Sequence, residues 1–334
     1  EPSVTALNDG GFVVTWMSNG NDGSGWGVYG QRYAADGAAS GNEFLINSYT
    51  SNNQYDPSVA ALADGGFVVT WRGGDQDGSG YGVFGQRYAA DGTATGTEFQ
   101  VNTYTSDNQQ EPSVTGLADG GFVVTWMSAN QDGSSWGVYG QRYAADGAAS
   151  GTEFLINSYT SDSQYDPSVT ALADGGFVVT WMSHNQDGDS WGVYGQRYAA
   201  DGAASGDEFL INTYTSNQQQ EPSVTALNDG GFVVTWMSNN QDGSDWGIYG
   251  QRYAADGAPS GNEFLINNHT QYSQYEPSVT ALADGGFVVA WQSDYQDEYP
   301  ESWNSGIYAR RYESGTQIVD GDRIIGGATD DILV

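Results

Sequence analysis

The chain has 334 residues, in which 42 acidic side chains outnumber 9 basic ones and give a formal net charge of −33. A surface this negative repels phosphate backbones and anionic membranes, which argues against nucleic acid as a partner and against membrane insertion. Cysteine is absent, so disulfides and thiolate chemistry are excluded. No segment approaches the ~20 apolar residues that are needed to cross a bilayer.

The chain is built from a 55-residue repeat. The motif GFVVTW or GFVVAW occurs six times at constant spacing, and its tryptophans are Trp16, Trp71, Trp126, Trp181, Trp236 and Trp291. Six units therefore begin at positions 1, 56, 111, 166, 221 and 276. Such a period indicates a repeat architecture in which each unit is one supersecondary element.

Within the first unit, four apolar segments follow one another in chain order. PSVTAL leads to the turn Asn8-Asp9-Gly10-Gly11, and FVVTWMS leads to the polar loop NGNDGSG. WGVYGQRYAA comes next, and the turn at Asp36-Gly37 then leads to EFLINSYT. The connections are short and no segment has the i, i+3, i+4 spacing of a helix, so the unit is predicted to be all-β.

Four antiparallel strands in a repeat of this length are typical of a propeller blade. The second segment, residues 12–16, is almost continuously apolar, as expected for a sheet that is covered on both faces. The sequence therefore predicts a six-bladed β-propeller over residues 1–319. A linear array or solenoid of the same units is the alternative, although its end sheets would need capping.

The last unit departs from the others. It has a four-residue insertion in its polar loop, and it lacks the EFLIN segment. Its fourth strand is expected either from residues 316–319 or from sequence before residue 1. Residues 320–334 are interpreted as a separate terminal segment or a closing strand. Because the chain begins and stops within the pattern, we expect it to be part of a longer chain.

The polar loop after the second segment is a candidate calcium site. Aspartate, amide and glycine on a tight loop supply the hard oxygen ligands that calcium prefers. The alternative is a plain Asp-Gly turn, in which the carboxylate accepts hydrogen bonds from its own backbone. The candidate ligands in this loop are Asp22, Asp75, Asp77, Asp132, Asp187, Asp242 and Asp297.

An aromatic residue follows each polar loop. Aromatic rings beside acids and amides suit carbohydrate, because the ring stacks on sugar C–H groups while the polar groups bind hydroxyls. The alternative is packing against the next blade. The candidate ligand-binding residues are Trp26, Tyr81, Trp136, Trp191, Trp246 and Trp303.

Two further charged positions recur. An acid precedes the proline that opens each unit, and it is interpreted either as part of a cation site or as a turn carboxylate. The third segment carries an arginine, for which a structural ion pair with the equivalents of Asp36 or Glu43 is expected. The recurring residues are Glu1, Asp56, Glu111, Asp166, Glu221 and Glu276, and Arg32, Arg87, Arg142, Arg197, Arg252 and Arg311.

The residues give no catalytic signature. Histidine occurs only at His184 and His269, and G-x-S-x-G and H-E-x-x-H are absent. Six near-equal sites suit multivalent binding better than catalysis, which needs one asymmetric site. Arg72 breaks the period, since it stands where the first unit has Met17. The sequence therefore predicts a protein that is not an enzyme.

The end of the chain, GGATDDILV, resembles the calcium-binding nonapeptide of RTX (repeat-in-toxin) proteins, with Asp331 as the candidate ligand. The 55-residue units resemble tandem arrays in very large RTX-type exported proteins of Gram-negative bacteria. This resemblance implies export to the cell surface or the exterior and a role in adhesion. Together with the residues it predicts a calcium-assisted, carbohydrate-directed adhesion module. A passive spacer is the second hypothesis, and a propeller glycoside hydrolase is the third.

Overall fold

The computed structural model describes residues 2–296, 305–314 and 323–325. The chain divides into two compact units, Glu1–Ala171 and Leu172–Val334. The described residues form six four-stranded antiparallel sheets, each with its strands in chain order, and contain no helix. In that part of the chain, accordingly, no helix is long and apolar enough to span a membrane. The fold is a six-bladed β-propeller, which confirms the predicted fold class.

The blades are numbered here in chain order. Blade 1 contains β1 (Ser3–Ala6), β2 (Phe12–Asn19), β3 (Trp26–Tyr33) and β4 (Ala39–Leu45). Blade 2 contains β5 (Gln54–Ala61), β6 (Phe67–Gly74), β7 (Tyr81–Tyr88) and β8 (Ala94–Gln100). Blade 3 contains β9 (Gln109–Gly116), β10 (Phe122–Ala129), β11 (Trp136–Tyr143) and β12 (Ala149–Leu155).

The remaining blades follow the same order. Blade 4 contains β13 (Gln164–Ala171), β14 (Phe177–His184), β15 (Trp191–Tyr198) and β16 (Phe209–Leu210). Blade 5 contains β17 (Gln219–Ala226), β18 (Phe232–Asn239), β19 (Trp246–Tyr253) and β20 (Phe264–Leu265). Blade 6 contains β21 (Gln274–Ala281), β22 (Phe287–Asp294), β23 (Ser305–Tyr312) and β24 (Arg323–Ile325).

The fourth strand of blade 6 is Arg323–Ile325, which pairs with β23. It lies within residues 320–334, for which a closing strand is one of the two interpretations given above. Residues 316–319 lie outside the described part of the chain, as does the RTX-like terminal segment with Asp331.

The core lies between the faces of successive blades. In the first unit, Val28 and Ile46 of blade 1 pack against Trp71 of blade 2, and Val83 of blade 2 belongs to the same cluster as Trp126 of blade 3. In the second unit, blades 4 and 5 and blades 5 and 6 form equivalent clusters. The second strand is apolar on both faces because both faces are covered, and its tryptophan is fully buried in blades 2 to 5.

The first strands of successive blades are neighbours and are joined by a repeated hydrogen bond. β1, β5, β9 and β13 contact one another in turn, and so do β17 and β21. In the first unit, Val114 N donates to Ser58 Oγ and Val169 N to Ser113 Oγ, each at 3.2 Å. In the second unit, Val279 N donates to Ser223 Oγ at the same distance. Each of these bonds joins residues that are 56 positions apart.

The recurring arginines form ion pairs, but with a different partner from the one predicted. Arg32 Nη2 lies 3.3 Å from Asp9 Oδ2 in the turn between the first two strands of its own blade. Neither Asp36 nor Glu43 forms this ion pair, although Asp91, the equivalent of Asp36 in blade 2, is near Arg32: its pKa is lowered first by hydrogen bonds from Thr93 and also by the charge of Arg32. The partner differs because β2 and β3 run side by side in register, which brings the guanidinium to the β1–β2 turn. The other five arginines repeat this contact, with Asp64, Asp119, Asp174, Asp229 and Asp284.

Candidate active site at the bulged inner strands

In blades 2, 3, 5 and 6, the acid that opens the unit lies on a β-bulge in the first strand. In blade 2, Tyr55 pairs with Arg72 and Ser58 with Thr70, so Asp56 and Pro57 together oppose Trp71 alone. Proline cannot donate a ladder hydrogen bond, which favours a bulge at this point. Asp56 has a φ of 53°, in the left-handed region that non-glycine residues avoid.

The same strain recurs along the chain. Glu111 and Asp166 have φ values of 52° and 52°, and Glu221 and Glu276 have 54° and 51°. Each such residue costs about 1–3 kcal/mol, a cost that concentrates at functional sites in folded proteins.

In the first unit, two of these carboxylates meet one arginine. Arg72 Nε lies 2.5 Å from Asp56 Oδ2, and Arg72 Nη1 lies 3.8 Å from Glu111 Oε1. Arg72 Nη1 also donates to Gln110 Oε1. The three charged side chains are partly enclosed, with exposed fractions of 12% for Asp56, 21% for Arg72 and 35% for Glu111. The guanidinium thus links the bulges of blades 2 and 3.

Two tyrosines flank the guanidinium. Arg72 Cζ lies 5.1 Å from the ring centroid of Tyr55 and 5.0 Å from that of Tyr81, and the two rings are 6.2 Å apart. Cation–π contacts of this kind hold the guanidinium in place without neutralising it. Acids, an amide and aromatic rings therefore surround a single cation at the bulged end of blade 2.

The second unit has the bulges without the arginine. Glu276 N donates to Glu221 Oε2 at 3.2 Å, so neighbouring bulges are again in contact. Met237 of blade 5 occupies the position of Arg72 and is buried. Methionine also occupies this position at 17, 127 and 182, and Gln292 occupies it in the last unit. The arginine occurs in one blade, so it turns a periodic surface into an asymmetric site.

The predicted ligand-binding aromatics lie next to the inner strands. Trp26 packs 6.2 Å from Tyr55 of the next blade, and Trp136 packs 5.9 Å from Tyr165. Trp191 contacts His184, and Trp246 packs against the apolar cluster between blades 5 and 6. The contacts of Trp26, Trp136 and Trp246 agree with packing against the next blade, whereas Trp191 contacts a residue of its own blade, and sugar binding by the rings stays a prediction. Tyr81 alone joins the Arg72 cluster, and Trp303 lies outside the described residues.

The predicted calcium ligands form Asp-Gly turns. Asp22 Oδ1 accepts a hydrogen bond from Ser24 N at 3.0 Å. The same bond recurs at Asp77, Asp132, Asp187 and Asp242. Asp75 contacts Asn52 instead, and Asp297 and Asp331 lie outside the described residues. No group of three or more acids and histidines suited to a metal is found among the residues described.

The second carboxylate oxygen of these turns points inward over a glycine. An added Cβ on Gly137 would lie 2.8 Å from Asp132 Oδ2, which explains why glycine follows the aromatic residue. Burial raises the pKa of Asp187, against the lowering effect of its hydrogen bonds to Asp189 N and Asn212. The aspartates therefore have a structural role in the loop. Calcium binding by them stays a prediction.

Part of the candidate site was missed at the sequence level. Arg72 was noticed as a departure from the period, but its link to Asp56 and Glu111 was not foreseen. Tyr55 and Gln110 were not singled out either. One sequence feature could have drawn attention to them. The residue before the acid alternates from unit to unit, with tyrosine at 55, 165 and 275 and glutamine at 110 and 220.

No known family model matches the chain, and no curated protein matches it. Solved structures do match its fold. A protein of unknown function from Dyadobacter fermentans has a TM-score of 0.61 at 12% identity, over 88% of this chain and 90% of that one. An alpha-L-arabinanase from Penicillium chrysogenum, complexed with arabinobiose, has a TM-score of 0.58 at 16% identity, over 93% and 92%.

A third similar structure is an alpha-L-arabinofuranosidase from Fusarium graminearum in complex with an iminosugar inhibitor. It has a TM-score of 0.61 at 12% identity, over 93% of this chain and 92% of that one. At these identities the likeness establishes a shared fold.

These matches correct the functional prediction. The sequence predicts a non-enzymatic adhesion module and ranks a propeller glycoside hydrolase third, yet two propellers that match over 93% of this chain are an arabinanase and an arabinofuranosidase. The error lay in assuming that periodic acids form only equivalent sites. Arg72 breaks that equivalence, because it draws Asp56 and Glu111 into one cluster that the other blades do not repeat.

Proposed function

We propose that this protein is a carbohydrate-active β-propeller that hydrolyses glycosidic bonds at the site formed by Asp56, Arg72 and Glu111. The observation that carries the proposal is the meeting of two bulge carboxylates at one arginine. The similar arabinanase and arabinofuranosidase support it, since they place such chemistry on the same fold.

The residues fit glycoside hydrolysis, which commonly uses a pair of carboxyl groups across the scissile bond. Asp56 is bound at 2.5 Å by Arg72 and is the candidate for the ionised carboxylate that acts as nucleophile or activates water. Glu111 is the second carboxyl group of the pair, with its Oε1 3.8 Å from Arg72 Nη1, and is the candidate proton donor. Arg72 holds both groups at the loop ends of their strands.

The surroundings suit a neutral sugar. The rings of Tyr55 and Tyr81 provide apolar faces, and Gln110 and the carboxylates provide partners for hydroxyl groups. A chain with a net charge of −33 repels anionic polysaccharides at long range. Neutral pentose or hexose glycans are therefore the proposed substrates, rather than sialylated or uronate-rich ones.

A glycosidase screen tests the proposal. Purified protein would be assayed on arabinan, xylan and a panel of chromogenic arabinosides, xylosides, galactosides and sialosides. The Glu111→Gln and Asp56→Asn variants should lose at least ~10²-fold in kcat/KM on any substrate that is turned over. Glu221→Gln is the matched control, because Glu221 lies on the equivalent bulge beside Met237.

Two results would overturn the proposal. One is the absence of turnover on every glycoside tested. The other is an equal loss of activity in Glu111→Gln and Glu221→Gln, since that would place the reaction away from Arg72. The exported location and the calcium requirement that the RTX resemblance implies are kept as separate proposals, and neither is needed for this test.

A further inference from the structure

The second unit contains a cleft that the proposed active site does not use. It has a volume of about 540 Å³ and lies between the outer ends of blades 4 and 5. Small-molecule sites commonly measure ~300–1,000 Å³. Leu210 and Thr213 of blade 4 form one side, and Gln241, Pro259, Asn262 and Glu263 of blade 5 form the other.

The cleft follows from an interruption of the fourth strand. β4, β8 and β12 have seven residues, whereas β16 and β20 have two. In blade 5, Pro259 forms only an isolated bridge with Tyr253, and the chain returns to the sheet at Phe264. Proline lacks the N–H that a regular edge ladder would use. Blade 4 has the same interruption with Ala204 in this position, and Gly261 and Asn262 lie between the bridge and β20, where both line the cleft.

Glu263 fixes the two sides of the cleft. Its Oε2 accepts hydrogen bonds from Thr213 N at 2.6 Å and from Thr213 Oγ1 at 3.0 Å. Its Oε1 accepts from Gln241 Nε2 at 2.5 Å. The amide nitrogen of Gln241 is thereby directed at Glu263. Gln241 Oε1 is buried and has no hydrogen-bond partner among the described residues.

Among the described residues, the same oxygen is unpaired at Gln76, Gln131 and Gln186, so it belongs to the repeat, and what the cleft offers a ligand is its lining of acceptor oxygens from Gln241, Asn262 and Glu263. Leu210 and Pro259 add exposed apolar surface to the same cleft. A group that donates hydrogen bonds from its rim and has a C–H face fits both features. Sugars have this combination, whereas an anion would meet Glu263 and the negative field of the chain.

We propose that this cleft is a second carbohydrate-binding site, which holds one or two neutral sugar residues and takes no part in catalysis. It shares no residue with the Asp56, Arg72 and Glu111 cluster, and its occupancy does not require that the proposed hydrolysis occurs.

Ligand-observed NMR with arabinobiose and xylobiose tests this site. Leu210→Trp places a large side chain at the wall of the cleft and should weaken binding at least ~10-fold. Leu155→Trp is the matched control, because Leu155 ends the fourth strand of blade 3 and is 37% exposed, as is Leu210. Gln241→Ala, which removes the acceptor, should weaken binding without adding bulk, and Gln131→Ala is its control.

Several results would overturn the assignment. Binding that is lost in Glu111→Gln and kept in Leu210→Trp would place the sugar at the other site. Equal losses in Leu210→Trp and Leu155→Trp, or no binding of either sugar to the wild type, would also count against the cleft. Putrescine, which donates hydrogen bonds as a cation, is the second probe, and binding of putrescine alone would show that the cleft selects amines.

Discussion

The two units of the molecule have the same scaffold and differ at the bulged ends of their inner strands. In the first unit, Arg72 joins Asp56 to Glu111. In the second, Met237 is buried at the equivalent position, and neighbouring bulges contact each other through Glu276 N and Glu221. In a repeat protein, residues that follow the period support the fold, and those that break it are the candidates for chemistry.

High pH should have the largest effect on the molecule, because it ionises buried tyrosines that both units share. Burial raises the pKa of Tyr312 to about 12, and it also raises the pKa of Tyr88, Tyr143, Tyr198 and Tyr253, on each of which a nearby glutamate acts in the same direction. These tyrosines stabilise the fold fully below pH 10, their value in the unfolded chain, and that stabilisation is lost as the pH rises through the folded values.

We therefore expect cooperative unfolding that begins above pH 10 and is complete somewhat beyond pH 12. Absorbance of tyrosinate at 295 nm and far-ultraviolet circular dichroism should change together. Because each unit contains such tyrosines, one shared transition is expected. Ionisation of these tyrosines at pH 10 with the fold intact would contradict the burial argument.

The tryptophan that recurs in the second strand of each blade gives the next largest expected effect, a loss of folding stability on its replacement. Trp126 of the first unit and Trp181 of the second are both fully buried between blade faces. Trp126→Ala and Trp181→Ala should each lower the free energy of unfolding by about 3–5 kcal/mol, since each leaves a cavity in a packed core. Urea denaturation measures both. Costs that differ by more than about 2 kcal/mol would show that the two scaffolds are not equivalent.

Much of this scaffold follows from the sequence. The constant spacing of the tryptophans, the apolar second segment and the Asp-Gly turns predict the number of blades and the strands within them. The partner of Arg32 was predicted incorrectly, because composition indicates that a carboxylate is needed but only strand register selects Asp9. The cluster at Arg72 was missed for a related reason, since it joins two bulges that lie 55 residues apart in sequence.

A reciprocal exchange at Arg72 addresses the difference between the units. Arg72→Met restores the residue of the other repeats and leaves Asp56, with an exposed fraction of 12%, without its arginine. We expect a loss of about 1–3 kcal/mol in stability, less than for a fully buried pair because solvent still reaches the site. Any glycosidase activity should fall by a larger factor than this modest loss of stability explains.

Met237→Arg is the opposite change, and it places a guanidinium beside Glu221 in the second unit. It should lower the melting temperature, because Met237 is buried in the apolar cluster between blades 5 and 6. It should not create activity in a chain that also carries Arg72→Met, since Tyr55 and Tyr81 flank only the first site. If Arg72→Met keeps wild-type activity, Arg72 does not distinguish the site in the first unit from the equivalent position in the second.

Removal of calcium is expected to have the smallest effect on the melting temperature. The relevant residues are in the polar loops, one example from each unit. Asp132 and Asp187 each commit one oxygen to a turn amide, which leaves little for a metal. If calcium binds, a concentration tenfold above its Kd stabilises the fold by about 1.4 kcal/mol per site, and EDTA lowers the melting temperature. Asp132→Asn and Asp187→Asn should each remove part of this response. If EDTA leaves the midpoint of thermal unfolding unchanged, these loops do not bind calcium.

The serine-to-amide bonds between inner strands bear on how the chain acquires its structure. Each joins a residue to one 56 positions later, so the contact between the first strands of two blades needs only two consecutive repeats. Loop closure over this distance costs the same wherever it occurs, and folding can begin at any adjacent pair and spread. During synthesis, early blades can thus dock in sequence while later ones are still on the ribosome, which limits the time that apolar faces spend exposed.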